Sequence, residues 1–120
     1  MSKSVAWALF VLGGIHIVFG VLRFQQPLLD AIAAGFIGQF KEPEVRRTAF
    51  WFLICGPLLM LAGHLAIRAV ASGDDAMLKI IGMYGLVASV IGIAAFPLSP
   101  LWILFVLSLL HIAAGYHWFR

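Results

Sequence analysis

Residues 80–119 read IIGMYGLVASVIGIAAFPLSPLWILFVLSLLHIAAGYHWF, 40 positions without a single Asp, Glu, Lys or Arg. As one helix this stretch would be roughly 60 Å long at about 1.5 Å per residue, twice a hydrocarbon core of about 30 Å. It must turn back once. Pro97-Leu98-Ser99-Pro100 is where it can, because two prolines remove backbone donors and push the residues before them out of helical conformation. Two apolar helices are therefore expected, at about 79–97 and 101–119.

The same pattern extends toward the N-terminus. Residues 4–22 carry no charge between Lys3 and Arg23, and residues 48–67 carry none between Arg47 and Arg68. Across the 120 residues, 63% are hydrophobic and 11% charged, with a mean hydropathy of +1.06. Soluble domains are about a quarter charged, and a chain this small has too much surface to keep so many apolar side chains from water. The composition excludes a water-soluble enzyme and a disordered tail, and the lone Cys55 excludes a disulfide scaffold. The expected fold is all-α: a multi-pass membrane protein, one domain, an antiparallel bundle of four transmembrane helices at about 4–22, 48–67, 79–97 and 101–119. Trp7 and Trp118 fall at the ends facing the termini and Trp51 and Trp102 at the opposite ends, as an aromatic belt requires. Period-two alternation is missing, so a β-barrel is excluded. Residues 4–22 exceed a usual signal-peptide core, and no small-x-small cleavage pattern follows, so they read as a retained span.

Between the first two spans, Leu29, Ile32, Phe36 and Phe40 recur at helical spacing. This predicts either a short interfacial helix within 27–40 or an ordinary loop with apolar residues. Ser72-Gly73 followed by Asp74-Asp75 reads as a helix stop and a new helix start, with acids near the N-terminus. An even number of spans puts both termini on one side. Lys3, Arg68, Lys79 and Arg120 flank that side, against Arg23, Lys41, Arg46 and Arg47 on the other, a tie of four to four. The N-terminal amine tips the expectation toward cytoplasmic termini. The net charge of +3 is explained by these flanking residues, and no nucleic acid is implied.

Four segments, Gly13-Gly14-Ile15-His16-Ile17-Val18-Phe19-Gly20, Arg46-Arg47-Thr48-Ala49-Phe50-Trp51-Phe52-Leu53, Gly63-His64-Leu65 and Pro97-Leu98-Ser99-Pro100-Leu101-Trp102, resemble a family of small bacterial four-helix membrane proteins. The resemblance covers most of the chain and takes in His16 and His64. It implies a bacterial cytoplasmic membrane and, since that family has no assigned function, no activity.

All five carboxylates (Asp30, Glu42, Glu44, Asp74, Asp75) lie in connections, so no embedded acid serves proton coupling or a carboxylate metal site. Nucleotide-binding, zinc-hydrolase and nucleophile-elbow motifs are missing. With only imidazoles and one thiol available, an intramembrane enzyme is the least supported reading. The ionisable groups left inside the apolar runs are histidines, which in a membrane face the bundle interior and find a partner. Trp7 and His16 are nine residues apart, as are Trp102 and His111, so each imidazole sits roughly 13.5 Å below its tryptophan, near the midplane. Trp7, Leu9, Phe10, Val11, Leu12, His16, Ile17, Gly20 and Phe24 match Trp102, Leu104, Phe105, Val106, Leu107, His111, Ile112, Gly115 and Phe119 one for one. Chance within a narrow apolar alphabet suffices to explain this, because a duplication of two-helix halves would pair the first helix with the third.

Two opposed neutral imidazoles at one depth form the arrangement that holds a b-type haem. Gly13 and Gly20 beside His16, and Ser108 and Gly115 beside His111, would leave room for the macrocycle. They equally serve close helix packing. Taken singly, a buried histidine more often bonds a backbone carbonyl. Haem b with its iron held by His16 and His111, in an electron-transfer module, is the leading functional expectation. His64 and His117 form a weaker second pair and otherwise read as interfacial anchors. Met60 could be an axial ligand but more often such a residue is core, and Cys55 beside Gly56-Pro57 reads as a small buried thiol at a kink. The rival expectations are a small dimeric transporter or lipid-interacting protein, in which His16 would replace the usual embedded carboxylate, and an accessory subunit of a larger membrane complex without cofactor. In all of these the first partner is the lipid bilayer.

Overall fold

The computed structural model describes residues 2–118 as five α-helices and, within that range, no strand: α1 Ser2–Arg23, α2 Gln25–Ala33, α3 Glu44–Ser72, α4 Asp75–Ala95 and α5 Leu101–Gly115. Phe119 and Arg120, expected to end the fourth span and to flank it, lie outside the described residues. α1, α3 and α4 are long and apolar enough to cross a membrane. They coincide with the first three apolar runs. The turn between α4 and α5 falls at Pro97-Leu98-Ser99-Pro100, where the Trp102 indole N–H donates to the Pro97 carbonyl at 2.9 Å.

Two expected elements are shorter than their runs. The fourth span, placed at 101–119, is a helix of 15 residues ending at Gly115, about 22 Å long and short of a hydrocarbon core of about 30 Å. It ends because His117 adopts a left-handed backbone with φ of 60°. The amides of His117 and Trp118 then turn back to the carbonyls of Ala114 and Ala113, the bonding pattern of a Schellman cap. The segment at 27–40 is helical only through Ala33. Gly35, with φ of 109°, lets its own amide and that of Phe36 close on Ile32 and Ala31 in the same pattern. α3 stops likewise at Gly73, with φ of 71°. Asp74 then caps α4 by accepting from the Met77 amide at 3.0 Å, so the helix stop and start read from 72–75 stand.

The chain divides into two compact units. In Val11–Met60, the second half of α1 packs on the first half of α3 through glycines. A Cβ on Gly13 would lie 2.6 Å from the Met60 Cγ and 2.8 Å from the Gly56 carbonyl oxygen. Gly20 lies as close to Leu53 and Phe52, and Gly56 meets Ile17. Small residues at such a seam let backbones approach until dispersion contacts are dense. Phe52 is the hub, with Phe19 and Phe24 ring centroids 5.9 and 5.4 Å away.

The second unit, residues 1–10 and 61–120, has its core at Ala6, Ala66, Ala69, Leu78 and Ala114. Its α4–α5 hairpin is knit by Gly82 against Ser108 and Ile112, Gly85 against Ser108, and Gly92 against Leu101. Large apolar side chains such as Leu22, Leu58 and Ile91 face outward, each 60% or more exposed. Outward faces this apolar are far beyond what soluble surfaces carry.

Candidate functional site

Each histidine has its own surroundings. His16, in the Val11–Met60 unit, lies flat on Phe52 with ring centroids 4.1 Å apart and planes 15° from parallel. Its Nε2 donates to the Phe52 carbonyl oxygen at 2.7 Å. A carbonyl only accepts, so Nε2 carries the proton and Nδ1 holds the free lone pair of the neutral ring. His111, in the other unit, is 1% exposed. Its Nδ1 donates to the Leu107 carbonyl at 2.7 Å, one turn back on its own helix. That leaves Nε2 as the lone-pair nitrogen, shielded from solvent and without a hydrogen-bond partner. His64 is exposed, edge-on to Phe10. His117 is exposed as well and its Nε2 donates to the Asp75 carboxylate at the start of α4. The niche beside that pair, about 60 Å³ between Ser2, Val70, Asp75 and His117, admits no more than a water or two.

The small residues expected to make room for a macrocycle serve helix contact. Gly13 is filled by Met60 and Gly56, Gly20 by Leu53 and Phe52, Ser108 by Gly85, and Gly115 by Lys79 and the Asp75 carbonyl. Among the described residues no three His, Cys, Asp or Glu side chains are grouped to hold a metal ion. Cys55 is exposed rather than buried. It follows Phe52 and precedes Gly56 on α3, and a step of about 100° per residue carries it off the face that Gly56 presses against α1.

A concavity within Val11–Met60 contains no histidine. It is an open-sided groove of about 330 Å³, inside the size range of small-molecule sites. Ile17 and Val21 form one wall and Phe50, Leu53, Ile54 and Pro57 the other. Leu28 of α2 and Phe36 and Phe40 of the following loop lie over it. Every lining side chain is a hydrocarbon. Leu29 and Ile32 of the apolar stripe read from the sequence face outward instead, about 60% exposed, and α2 turns Leu28 and Ala31 inward. Sequence reasoning missed this groove. Its signal in the sequence is the pair Phe36 and Phe40, whose spacing fits a helix face and an apolar loop equally.

Two arginines lie one turn from the groove's Phe50 on α3. Arg46 precedes Phe50 by four residues and Arg47 by three, which puts both guanidinium groups one turn beyond Phe50 on its side of α3. Arg46 Nη1 reaches toward the Gln39 and Glu42 carbonyls, at 3.4 Å each, beside the loop that carries Phe40. Its Nε–H is shielded and finds no acceptor.

An all-α chain with three helices of membrane-crossing length, their charges set toward the helix ends, and a hydrocarbon-lined groove is thereby defined. It belongs to a family of unknown function, DUF6463, whose model matches residues 1–118. This agrees with the resemblance read from the four sequence segments to a family without assigned function. No curated protein and no solved structure matches the chain.

Proposed function

We propose that this chain is an integral membrane protein whose Val11–Met60 unit holds a lipid acyl chain. The observation that carries this reading is the groove: about 330 Å³, open on one side and lined without exception by hydrocarbon side chains from α1, α2, the following loop and α3. Such a lining offers nothing to a polar ligand, which would lose its hydrogen bonds on entry. An acyl chain loses none. Dispersion contact with Phe36, Phe40 and Phe50 on fixed backbone then distinguishes the groove from bulk lipid, where each neighbour is mobile. The membrane assignment itself rests on the length and composition of α1, α3 and α4.

The test uses the full chain in phosphatidylcholine nanodiscs with a photoactivatable fatty acid. Labelling is expected to concentrate on Leu28, Phe36, Phe40 and Ile54 and to saturate near one per chain. An Ile54→Trp substitution, which fills the groove, abolishes that saturable labelling. Label spread evenly along the outward faces of α1, α3 and α4, unchanged by the substitution, overturns the reading.

A second reading, an electron-transfer module holding haem b, keeps one favourable observation. His111 donates Nδ1–H to a backbone carbonyl and leaves Nε2 unpartnered, the tautomer and orientation typical of a metal-binding imidazole. It is the weaker of the two because the ring of His16, the expected second ligand, lies flat against Phe52, and Gly13 and Gly20 beside it are filled by helix contacts. Reconstitution with haem decides it: no Soret band ends this reading, and a band lost in His111→Leu supports it.

A further inference from the structure

Resting on the acyl-chain reading, we infer that the occupant is an anionic lipid, its phosphate held by Arg46 and Arg47 at the end of the groove. The face of α3 that lines the groove has the profile of such a molecule. Taking Phe50 as reference and about 100° per residue, Ile54, Leu53 and Pro57 lie within about 60° of it on one side, running along the groove. Arg46 and Arg47 lie within about 60° on the other, one turn away. Two guanidinium groups followed by two turns of hydrocarbon is the complement of a charged head and an apolar tail.

Three further observations favour an anion there. Arg46 is tethered by the Gln39 and Glu42 carbonyls, at 3.4 Å each, which fixes the guanidinium beside Phe40 without neutralising it. Arg46 is only partly buried, and guanidinium binds phosphate with two parallel hydrogen bonds. The arginines also sit in the first turn of α3, where the helix dipole favours negative charge. The nearest carboxylates do not quench the site. Glu44 lies one turn before Arg47 on α3 but pairs with neither arginine, since among the described residues the sole ion pair is His117 with Asp75. A topological anchor would account for two arginines at a span's end, but does not require them to share a helix face with Phe50, Ile54 and Pro57 of an apolar groove.

The experiment competes the saturable photolabel, in phosphatidylcholine nanodiscs, with dodecyl phosphate, dodecanol or inorganic phosphate. Dodecyl phosphate is expected to displace the label at concentrations about tenfold lower than dodecanol, the scale of one charge-assisted hydrogen bond. Inorganic phosphate displaces nothing. Arg47→Gln, which breaks no side-chain hydrogen bond or ion pair among the described residues, narrows the gap between the two dodecyl compounds, and Arg46→Gln closes it further. Arg68→Gln, in the other unit, leaves it unchanged. Equal displacement by dodecyl phosphate and dodecanol overturns the anionic head while leaving the acyl chain in place. Absence of any saturable label to compete overturns both. Displacement by inorganic phosphate as potent as by dodecyl phosphate marks a free-anion site and overturns the lipid as occupant.

Discussion

His16 lies flat on Phe52 and donates to that same residue's carbonyl, so one residue of α3 holds both the face and the edge of the imidazole. The two contacts separate by substitution. His16→Phe keeps a ring on Phe52 and loses the hydrogen bond, and should cost about 0.5–1 kcal/mol, the usual worth of an interhelical hydrogen bond in a membrane. His16→Ala loses the stack as well, about 1 kcal/mol more. Thermal unfolding in detergent reads the difference, and equal melting of the two variants would mean that the stack contributes nothing.

Gly13 and Gly14 are adjacent in sequence and opposite in consequence. A Cβ at Gly13 meets the Met60 backbone nitrogen at 2.7 Å and the Gly56 carbonyl oxygen at 2.8 Å, backbone atoms that cannot step aside singly, whereas one at Gly14 meets nothing within 4 Å. Gly13→Ala must push α1 off α3 and is expected to cost about 1–3 kcal/mol. Gly14→Ala gains helix propensity, about 0.5–1 kcal/mol. Unfolding midpoints moving in opposite directions confirm the seam, and parallel movement refutes it.

These neighbours show what the sequence could and could not reveal. The helices were legible because uncharged runs of membrane-crossing length have one economical solution, and the α4–α5 turn because two prolines leave no other place for it. Two of the three Schellman caps were legible in principle through Gly35 and Gly73. The third, at His117, was not: no glycine marks it, and the uncharged run continues past it to Phe119. The groove was hidden for a different reason. Ile17, Leu28, Phe40 and Pro57 come from four segments and are made of the same hydrocarbon that faces outward elsewhere, so no pattern in one segment separates an inward phenylalanine from an outward one. The one-for-one match between the segments beginning at Trp7 and Trp102 does not extend to hydrogen bonding. It places His16 and His111 at equal register, yet one donates from Nε2 to a neighbouring helix and the other from Nδ1 to its own.

His111→Leu is expected to leave stability unchanged or raise it. The buried Nε2 has no partner, and an unsatisfied polar atom in an apolar interior costs about 1–3 kcal/mol. Leucine removes that cost and nearly fills the volume, giving up only the bond to Leu107 on the same helix. A midpoint lowered by several degrees in the substituted protein would show that Nε2 is engaged by a bound group in the membrane.

His117 holds the left-handed position that ends α5, where glycine is the usual occupant. Two effects meet there. A non-glycine residue in this conformation costs about 1 kcal/mol, and the contact with Asp75 offsets part of it. Both side chains of that pair are more than a third exposed, so the pair itself contributes no more than a few tenths of a kcal/mol after solvent screening. Relief of backbone strain should therefore win. His117→Gly is expected to hold the cap at least as well as the natural residue despite losing Asp75, while His117→Ala keeps the strain, loses the pair and frays the turn. Hydrogen exchange at the amides of Tyr116, His117 and Trp118, which bond back to Ile112, Ala114 and Ala113, measures it directly. Protection should follow the order glycine, histidine, alanine. If glycine exchanges as fast as alanine, the Asp75 contact rather than the backbone conformation is what closes the helix.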